Sequence, residues 1–380
     1  MRYITPFLKN DLQKKMVFIG GPRQCGKTTL AKALIPEFKN GLYLNWDDDV
    51  QRNEILKRKW PADADLIIFD EFHKYGRWKN WIKGLYDTQK EKHRFVVTGS
   101  ARLDVYGRGG DSLLGRYHYW RLHPFTLSEL PKGVELADGF QRLMSIGGFP
   151  EPFLENNQTQ ARRWRKERLD RVIRDDVRDL EKIRDINRLS LLVDLLRTRV
   201  GGPVVIQNLA EDLQVTAPTV KHWLDVLEKM YLIFLVHPYS KNMPRALRKP
   251  PKVYFYDTGD VDGDVGARFE NLVATHLLKS MHLLEDRDGF RYSLCYLRDK
   301  EGHEVDFALF KERNLMELIE VKWQDDSISK DLRYYTNKLN PPIATQIVGE
   351  LARGYEHGGI RVVPAIDNLN VLDRDSLILE

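Results

Sequence analysis

Residues 21–29, GPRQCGKTT, combine two glycines, a lysine and hydroxyl residues at the spacing of a phosphate-binding loop. They satisfy the pattern G-x-x-x-x-G-K-[ST], after the apolar run MVFI and before a segment of helical character. Backbone N–H groups in such a loop surround phosphates at the positive end of a helix. We therefore expect ATP to bind through Gly21, Pro22, Arg23, Gln24, Cys25, Gly26, Lys27, Thr28 and Thr29.

Within this loop, each residue type predicts a role. Lys27 is expected to contact the β- and γ-phosphates, and the Thr28 hydroxyl to bind Mg²⁺. The backbone N–H of Cys25, not its thiol, is expected to face the phosphates. Alkylation of Cys25 that ATP blocks would then report occupancy of the site.

Polar residues at the ends of two later apolar runs complete a hydrolysis site. LIIFDE, residues 66–71, ends in Asp70, placed to hold Mg²⁺, and Glu71, placed to polarise an attacking water. FVVTGSAR, residues 95–102, offers Thr98 and Ser100; one is expected to sense the γ-phosphate or hold the water, and the other to cap a turn. Arg116 either reaches a neighbouring subunit's γ-phosphate as an arginine finger or is a surface arginine without such a role.

A second set of charged residues lies near the C-terminal end of the sequence. Asp306 occurs in KEGHEVDFALF, and Glu320 and Lys322 in LMELIEVKW, both with strand-like alternation. Period two places Glu320 and Lys322 on one face of a strand. Paired carboxylates that bind Mg²⁺, with a lysine to position hydroxide, are what phosphodiester hydrolysis requires.

The elements that must position the first set are short strands separated by helices. The apolar runs MVFI, GLYLNW, DLIIFD, RFVVTG and YHYWRL predict a parallel sheet covered by helices, an α/β fold. From about residue 125 to 197 the sequence is helical, and its charged stretch 161–189 is interpreted as a solvated surface.

A pair of short helices is predicted between residues 207 and 230, with Thr216 as the N-cap of the second and Pro218 in its first turn. Val220, Leu224 and Leu227 form its buried stripe. Thr219, Lys221, His222 and Asp225 face outward, and the first three are candidate DNA contacts. With YLIFLV at 231–236 as a hairpin strand, this is a winged helix-turn-helix pattern. Packing against protein is the alternative role of this helix pair.

Composition sets wider limits. The 380 residues are 42% hydrophobic and 30% charged, with a net charge of +5 and a pI near 8.9, which permits a nucleic-acid partner without requiring one. The two cysteines, Cys25 and Cys295, indicate neither disulfides nor a cysteine metal cluster. With neither a signal-peptide core nor an apolar run of membrane length, we expect a cytoplasmic protein without a membrane span.

Several motifs in order, GGPRQCGKTTL, LIIFDEFHK, VTGSA, SLLGR, LHPFTLSEL and GGFPEPFL, resemble the prokaryotic AAA+ type ATPases that carry a C-terminal domain of unknown function. The resemblance implies a parallel sheet whose sensor strand lies between the strands leading to Lys27 and Asp70, followed by a helical lid and a winged helix. His73 departs from the glutamine that relatives often have there, which makes it a poor catalytic candidate.

The C-terminal part is similar to the restriction-endonuclease-like superfamily, whose pattern adds a helix with an acidic residue, here Glu270. Such a domain either cuts nucleic acid or keeps the scaffold for binding alone. The predicted domains are 1–128 (ATPase), 129–198 (lid), 199–245 (winged helix-turn-helix) and 246–380 (restriction-endonuclease-like).

These features favour an ATPase, acting as a homo-oligomer with ATP and Mg²⁺, that binds or processes DNA. Two alternatives stay open: a nucleotide-switched regulatory or scaffold ATPase that acts on a protein partner, and a metal-dependent nuclease that the ATPase regulates.

Overall fold

The structure, a computed structural model, describes residues 2–99, 113–173, 185–240 and 249–376. Ser100, part of the charged stretch 161–189 and residues 241–248 therefore lie outside the described residues. The chain divides into two compact units, Met1–His123 and Pro124–Glu380. The finer division into lid, winged helix and C-terminal domain stays a prediction. In the described ranges, no helix has the length and apolar character needed to cross a bilayer.

The first unit is a parallel sheet with helices. Its strands are β1 (Met16–Gly20), β2 (Gly41–Asn45), β3 (Leu66–Asp70), β4 (Arg94–Thr98) and β5 (Tyr117–Arg121), in the order β2-β3-β4-β1-β5. Its helices are α1 (Thr5–Asp11), α2 (Lys27–Ala33), α3 (Asp49–Lys57) and α4 (Trp78–Gln89). The five apolar runs are thus confirmed as strands. The sensor strand β4 pairs with β1 on one side and β3 on the other, as the resemblance implied.

The core of this unit explains why these runs form strands. Every residue of β1 and β3 is buried, so both faces of the sheet are covered. Phe18, Phe69 and Phe95 pack in one apolar cluster with Trp78 and Ile82 of α4. Each buried phenylalanine contributes about 1.5–3 kcal/mol relative to an exposed one. This core fixes the carboxyl ends of β1, β3 and β4 at one edge of the sheet, where polar residues follow.

The second unit begins with helices and continues into a mixed sheet. Its helices are α5 (Leu136–Ser145), α6 (Pro150–Glu155), α7 (Gln158–Arg171), α8 (Ile186–Arg197), α9 (Ile206–Asp212), α10 (Ala217–Lys229), α11 (Val265–Asp288), α12 (Lys330–Leu339) and α13 (Ala365–Leu369). Its strands are β6 (Ile233–Pro238), β7 (Lys252–Phe255), β8 (Tyr292–Arg298), β9 (Glu304–Lys311), β10 (Asn314–Lys322), β11 (Ile343–Val348), β12 (Tyr355–His357) and β13 (Ile360–Pro364).

The strand order in this sheet is β12-β13-β11-β10-β9-β8-β6-β7. β6 pairs antiparallel with β7 and parallel with β8, so the strand that follows the helix pair belongs to the C-terminal sheet. The predicted boundary at residue 245 therefore falls between two paired strands. The long helix α11 packs on the sheet through Phe269, Val273 and Leu277, which places Glu270 of the same helix beside β7.

Candidate functional site

The loop between β1 and α2 takes a backbone path that requires glycine. Gly21 has φ +140°, and a Cβ there would lie 2.2 Å from the carbonyl oxygen of Leu122. Gly26 has φ +96°, and Gln24 between them has φ +63°. Left-handed residues within a loop turn successive N–H groups toward one concave side, which binds anions. The two glycines of the pattern are thus explained by backbone geometry.

Lys27 begins α2 and is buried inside this loop. Its ammonium donates to the carbonyl oxygens of Gly21, at 3.1 Å, and Pro22, at 2.6 Å. A buried ammonium at the amino end of a helix adds positive charge where that end already attracts anions. The arrangement can bind the phosphates of a nucleotide.

Asp70, at the carboxyl end of β3, accepts hydrogen bonds from three hydroxyl groups. The donors are Thr28 at 2.7 Å, Tyr43 at 2.6 Å and Thr98. The N–H of Glu71 adds a fourth contact at 3.2 Å. Because Asp70 is only 3% exposed, these donors hold its carboxylate in one orientation. Thr28 and Asp70, with oxygen ligands side by side, suit the preference of Mg²⁺ for hard oxygen donors.

Tyr43, one of these donors, was not among the residues predicted from sequence. It lies on β2, opposite Ile68 of β3, so its side chain shares a face with Asp70 two residues further on. Burial, together with the hydrogen bond to Asp70, raises the pKa of Tyr43 above its usual range, which keeps the hydroxyl a donor. The alternation of residues in GLYLN indicates which face of β2 carries Tyr43. Only the register between β2 and β3 identifies Asp70 as its partner.

Glu71 follows Asp70 in a left-handed conformation, φ +54°, which turns its side chain away from the path of the strand. Its carboxylate lies 3.6 Å from the Lys74 ammonium and 3.8 Å from Nε2 of His73. His73 is buried, and that burial lowers its pKa to about 4. His73 is therefore neutral at pH 7.

The remaining predicted residues of this unit have different surroundings. Thr98 contacts Asp70, while Ser100 is outside the described residues. Arg116 donates to both carboxylate oxygens of Asp87, at 2.7 and 3.0 Å. Cys25 is fully buried, and its thiol points to the carbonyl oxygen of Leu122 at 3.4 Å. The expectation that alkylation of Cys25 reports occupancy is therefore wrong, since a reagent cannot reach the sulfur.

In the second unit, α10 presents the predicted exposed face. The Thr216 hydroxyl caps α10 by accepting from the N–H of Thr219 at 3.3 Å, as predicted. Lys221 and His222 are exposed, whereas Thr219 is half-buried. Val220, Leu224 and Leu227 are buried, as the helical spacing predicted. The exposed face of α10 is accessible to a partner. The Thr216 cap fixes where the helix begins.

A cavity of about 550 Å³ lies in the same unit, between α7, α8 and the segment before α11. Cationic side chains outnumber carboxylates in its lining. The cations are Arg162, Arg165, Lys166, Arg197 and Arg268, and the carboxylates are Asp260 and Asp262. Arg197 is paired with Asp260 at 3.0 Å. The balance favours an anionic ligand. Sequence analysis missed this cavity because its lysine and arginines are spread over more than 100 residues.

The structure brings the predicted C-terminal residues into one acidic pocket. Asp306 on β9 accepts from the N–H of Val321 on β10 at 3.0 Å, and Lys322 pairs with Glu320 at 2.9 Å. Glu270 on α11 accepts from the hydroxyl of Tyr254 at 2.7 Å. Burial, together with the nearby Asp306, raises the pKa of Glu320 to about 7 and that of Glu270 to about 6.

Two members of this pocket, Lys252 and Glu304, were not among the residues predicted from sequence. The buried ammonium of Lys252 lies 2.8 Å from Glu304, 3.1 Å from Asp306 and 3.4 Å from Glu270. Burial lowers the pKa of Lys252, but the three carboxylates outweigh it and hold that pKa above the usual range. Across the described ranges, no three His, Cys, Asp or Glu side chains are grouped so as to hold a metal ion.

The glycine loop, the buried lysine and the Thr28–Asp70 pair stand together at the carboxyl edge of a parallel sheet, and this combination is that of a P-loop nucleotide-binding site. Comparison with known proteins agrees, because residues 13–131 match an AAA domain. Residues 137–261 match a domain of unknown function, DUF8612, and residues 265–365 match another, DUF4143.

Similar chains occur in bacteria and archaea. An uncharacterised protein of Mycobacterium tuberculosis is 26% identical over 246 residues, which is 64% of this chain and 54% of the relative. An uncharacterised protein of Methanocaldococcus jannaschii is 25% identical over 356 residues, 84% of this chain and 77% of the relative. The chain thus spans about half the length of the mycobacterial relative.

Two solved structures align with much of the chain. The Walker-type ATPase of Pyrococcus abyssi aligns with a TM-score of 0.39 and 15% identity, over 70% of this chain and 94% of that chain. The RuvB Holliday junction branch migration motor of Thermotoga maritima aligns with a TM-score of 0.31 and 16% identity, over 61% and 88%.

Proposed function

We propose that this protein is an ATPase that couples Mg²⁺-dependent ATP hydrolysis to the binding of nucleic acid, DNA in particular, by its second unit. The observation that carries the proposal is the cavity with an excess of cationic side chains. Phosphate contacts from lysine and arginine supply most of the affinity of non-specific nucleic-acid binding. The exposed Lys221 and His222 of α10 give a second surface for the same partner.

In the ATPase unit, each role follows from the contacts described. Lys27 turns from the loop carbonyls toward the phosphates and neutralises their charge. Thr28 and Asp70 would hold Mg²⁺, which would supply neutralisation of the phosphate charge. The Glu71 carboxylate accepts a proton from the attacking water, and Thr98 keeps Asp70 oriented.

Arg116 is proposed to act on ATP bound to a neighbouring subunit of a homo-oligomer. In the structure it pairs with Asp87, whose carboxylate is 43% exposed, against 29% for the arginine. Exposed ion pairs of this kind contribute only about 0.2–1 kcal/mol, so a phosphate can replace Asp87 as the partner.

The test measures ATP turnover with and without duplex DNA across a salt series. The cavity variant is Lys166→Glu with Arg268→Glu, the helix variant is Lys221→Glu, and the matched control is Lys300→Glu on an exposed loop. DNA is expected to stimulate the wild type and the control. Loss of two phosphate contacts lowers the slope of log affinity against log salt by about two.

Three outcomes distinguish the alternatives. Weaker stimulation of ATP turnover by DNA in the cavity variant supports the proposal. Weaker stimulation in the helix variant alone indicates that DNA contacts α10 and not the cavity. Turnover that is unaffected by DNA, with no salt-dependent binding, refutes the DNA partner and favours a switch ATPase that acts on protein.

A further inference from the structure

Lys252 lies at the centre of the acidic pocket, with a side chain that is 2% exposed. It begins β7, and its ammonium faces carboxylates from α11 and β9. Three carboxylate oxygens surround it, those of Glu304, Asp306 and Glu270. An ammonium has three N–H donors, so each of these carboxylates has one donor available.

The distances match hydrogen bonds to an ammonium. They are 2.8, 3.1 and 3.4 Å from Nζ to oxygen. A divalent cation requires shorter contacts, about 2.0–2.1 Å for Mg²⁺ and about 2.3–2.6 Å for Ca²⁺. A divalent ion and this ammonium cannot share the space between the same oxygens.

Other contacts hold the carboxylates around Lys252. Tyr254 donates to Glu270, Val321 donates to Asp306, and Arg298 pairs with Glu304 at 3.1 Å. Glu320 pairs with Lys322 through one oxygen, while its buried Oε2 has no hydrogen-bond partner in the described part of the chain.

We infer that the Lys252 ammonium is the resident cation of this pocket and takes the place that a divalent metal ion holds in a metal-dependent nuclease. The residues present do not fit Mg²⁺ while Lys252 is there. Substitution of Lys252 by a neutral side chain removes the ammonium that Glu270, Asp306 and Glu304 share and creates a site for a divalent cation. This inference does not depend on a DNA partner.

The test counts Mn²⁺ ions bound to the nucleotide-free full-length protein by electron paramagnetic resonance. The variants are Lys252→Gln, Asp306→Asn and the two combined. Lys249→Gln, three residues earlier and exposed, is the matched control. We expect Lys252→Gln to bind one Mn²⁺ per chain more than the wild type, and the combined variant to lose it. The wild type, Asp306→Asn and the control are expected to bind equal amounts.

Thermal melting gives a second readout in case Lys252→Gln folds poorly. Mn²⁺ is expected to raise the melting temperature of Lys252→Gln. In the wild type, any shift that Mn²⁺ causes is expected to be the same with and without the Asp306→Asn substitution. The inference is overturned if the wild type binds a Mn²⁺ that Asp306→Asn loses. It is equally overturned if Lys252→Gln gains neither a bound ion nor stabilisation by Mn²⁺.

Discussion

Replacement of Tyr43 by phenylalanine removes one of the three hydroxyl donors to Asp70 and leaves the ring in place. The bond that is lost measures 2.6 Å and ends on a carboxylate that is 3% exposed. Hydrogen bonds to charged groups contribute about 1.5–3 kcal/mol. Because Asp70 keeps Thr28 and Thr98, we expect a loss near the lower limit, about 1.5 kcal/mol in the free energy of unfolding.

The assay is urea unfolding of the full chain. The transition to measure is the one that Mg²⁺ and ATP move to higher urea, because a ligand stabilises the unit that binds it. Tyr75→Phe is the control: it removes the hydroxyl of a tyrosine in the same unit whose ring stacks on Trp46 at 4.9 Å. The control is expected to stay within about 0.5 kcal/mol of the wild type.

A double-mutant cycle with Thr98→Val makes the test specific to Asp70. If both hydroxyls serve the same carboxylate, the combined loss exceeds the sum of the single losses, since Asp70 then keeps only the Thr28 hydroxyl and the Glu71 N–H as donors. A loss in Tyr43→Phe no larger than in Tyr75→Phe, or strict additivity with Thr98→Val, would refute this account of Asp70.

Three further predictions concern catalysis, assembly and pH. Lys27→Ala is expected to weaken ATP binding, whereas Glu71→Gln binds ATP but hydrolyses it about 10²–10⁴-fold more slowly; wild-type phosphate release by Glu71→Gln would contradict this. Arg116→Ala mixed with Glu71→Gln should recover activity if sites form between subunits, and no recovery at any ratio counts against the arginine finger. His276 accepts from the N–H of Leu127, and burial lowers its pKa to about 3. Its folded-state pKa is thus below the unfolded value of about 6.5, so stability falls as pH decreases from 6.5 toward 3; His276→Gln should flatten that decline in urea unfolding, and parallel profiles would disprove it.

Sequence patterns predicted the features that are set by residues close together in the chain. The five strands of the first unit, the glycine loop and the Thr216 cap each follow from residue types within a few positions of one another. The position of β4 between β1 and β3 did not follow from the residues; the family resemblance supplied it.

Contacts across elements were not predictable in the same way. Tyr43 meets Asp70 only because β2 and β3 pair in one register, and Arg116 meets Asp87 from 29 positions away. Lys252 ends a proline-punctuated basic segment, where a solvated lysine is the ordinary expectation. Its burial against carboxylates 18 to 54 positions away depends on tertiary structure alone.

The place of β6 in the C-terminal sheet limits how the chain can be divided. β6 lies between β8 and β7, and β7 carries Lys252. A fragment starting at residue 246 would lose β6, expose the hydrogen-bonding edge of β8 and leave β7 without its paired strand, an arrangement prone to aggregation. A shorter chain that keeps this sheet intact must therefore begin before β6, which starts at residue 233.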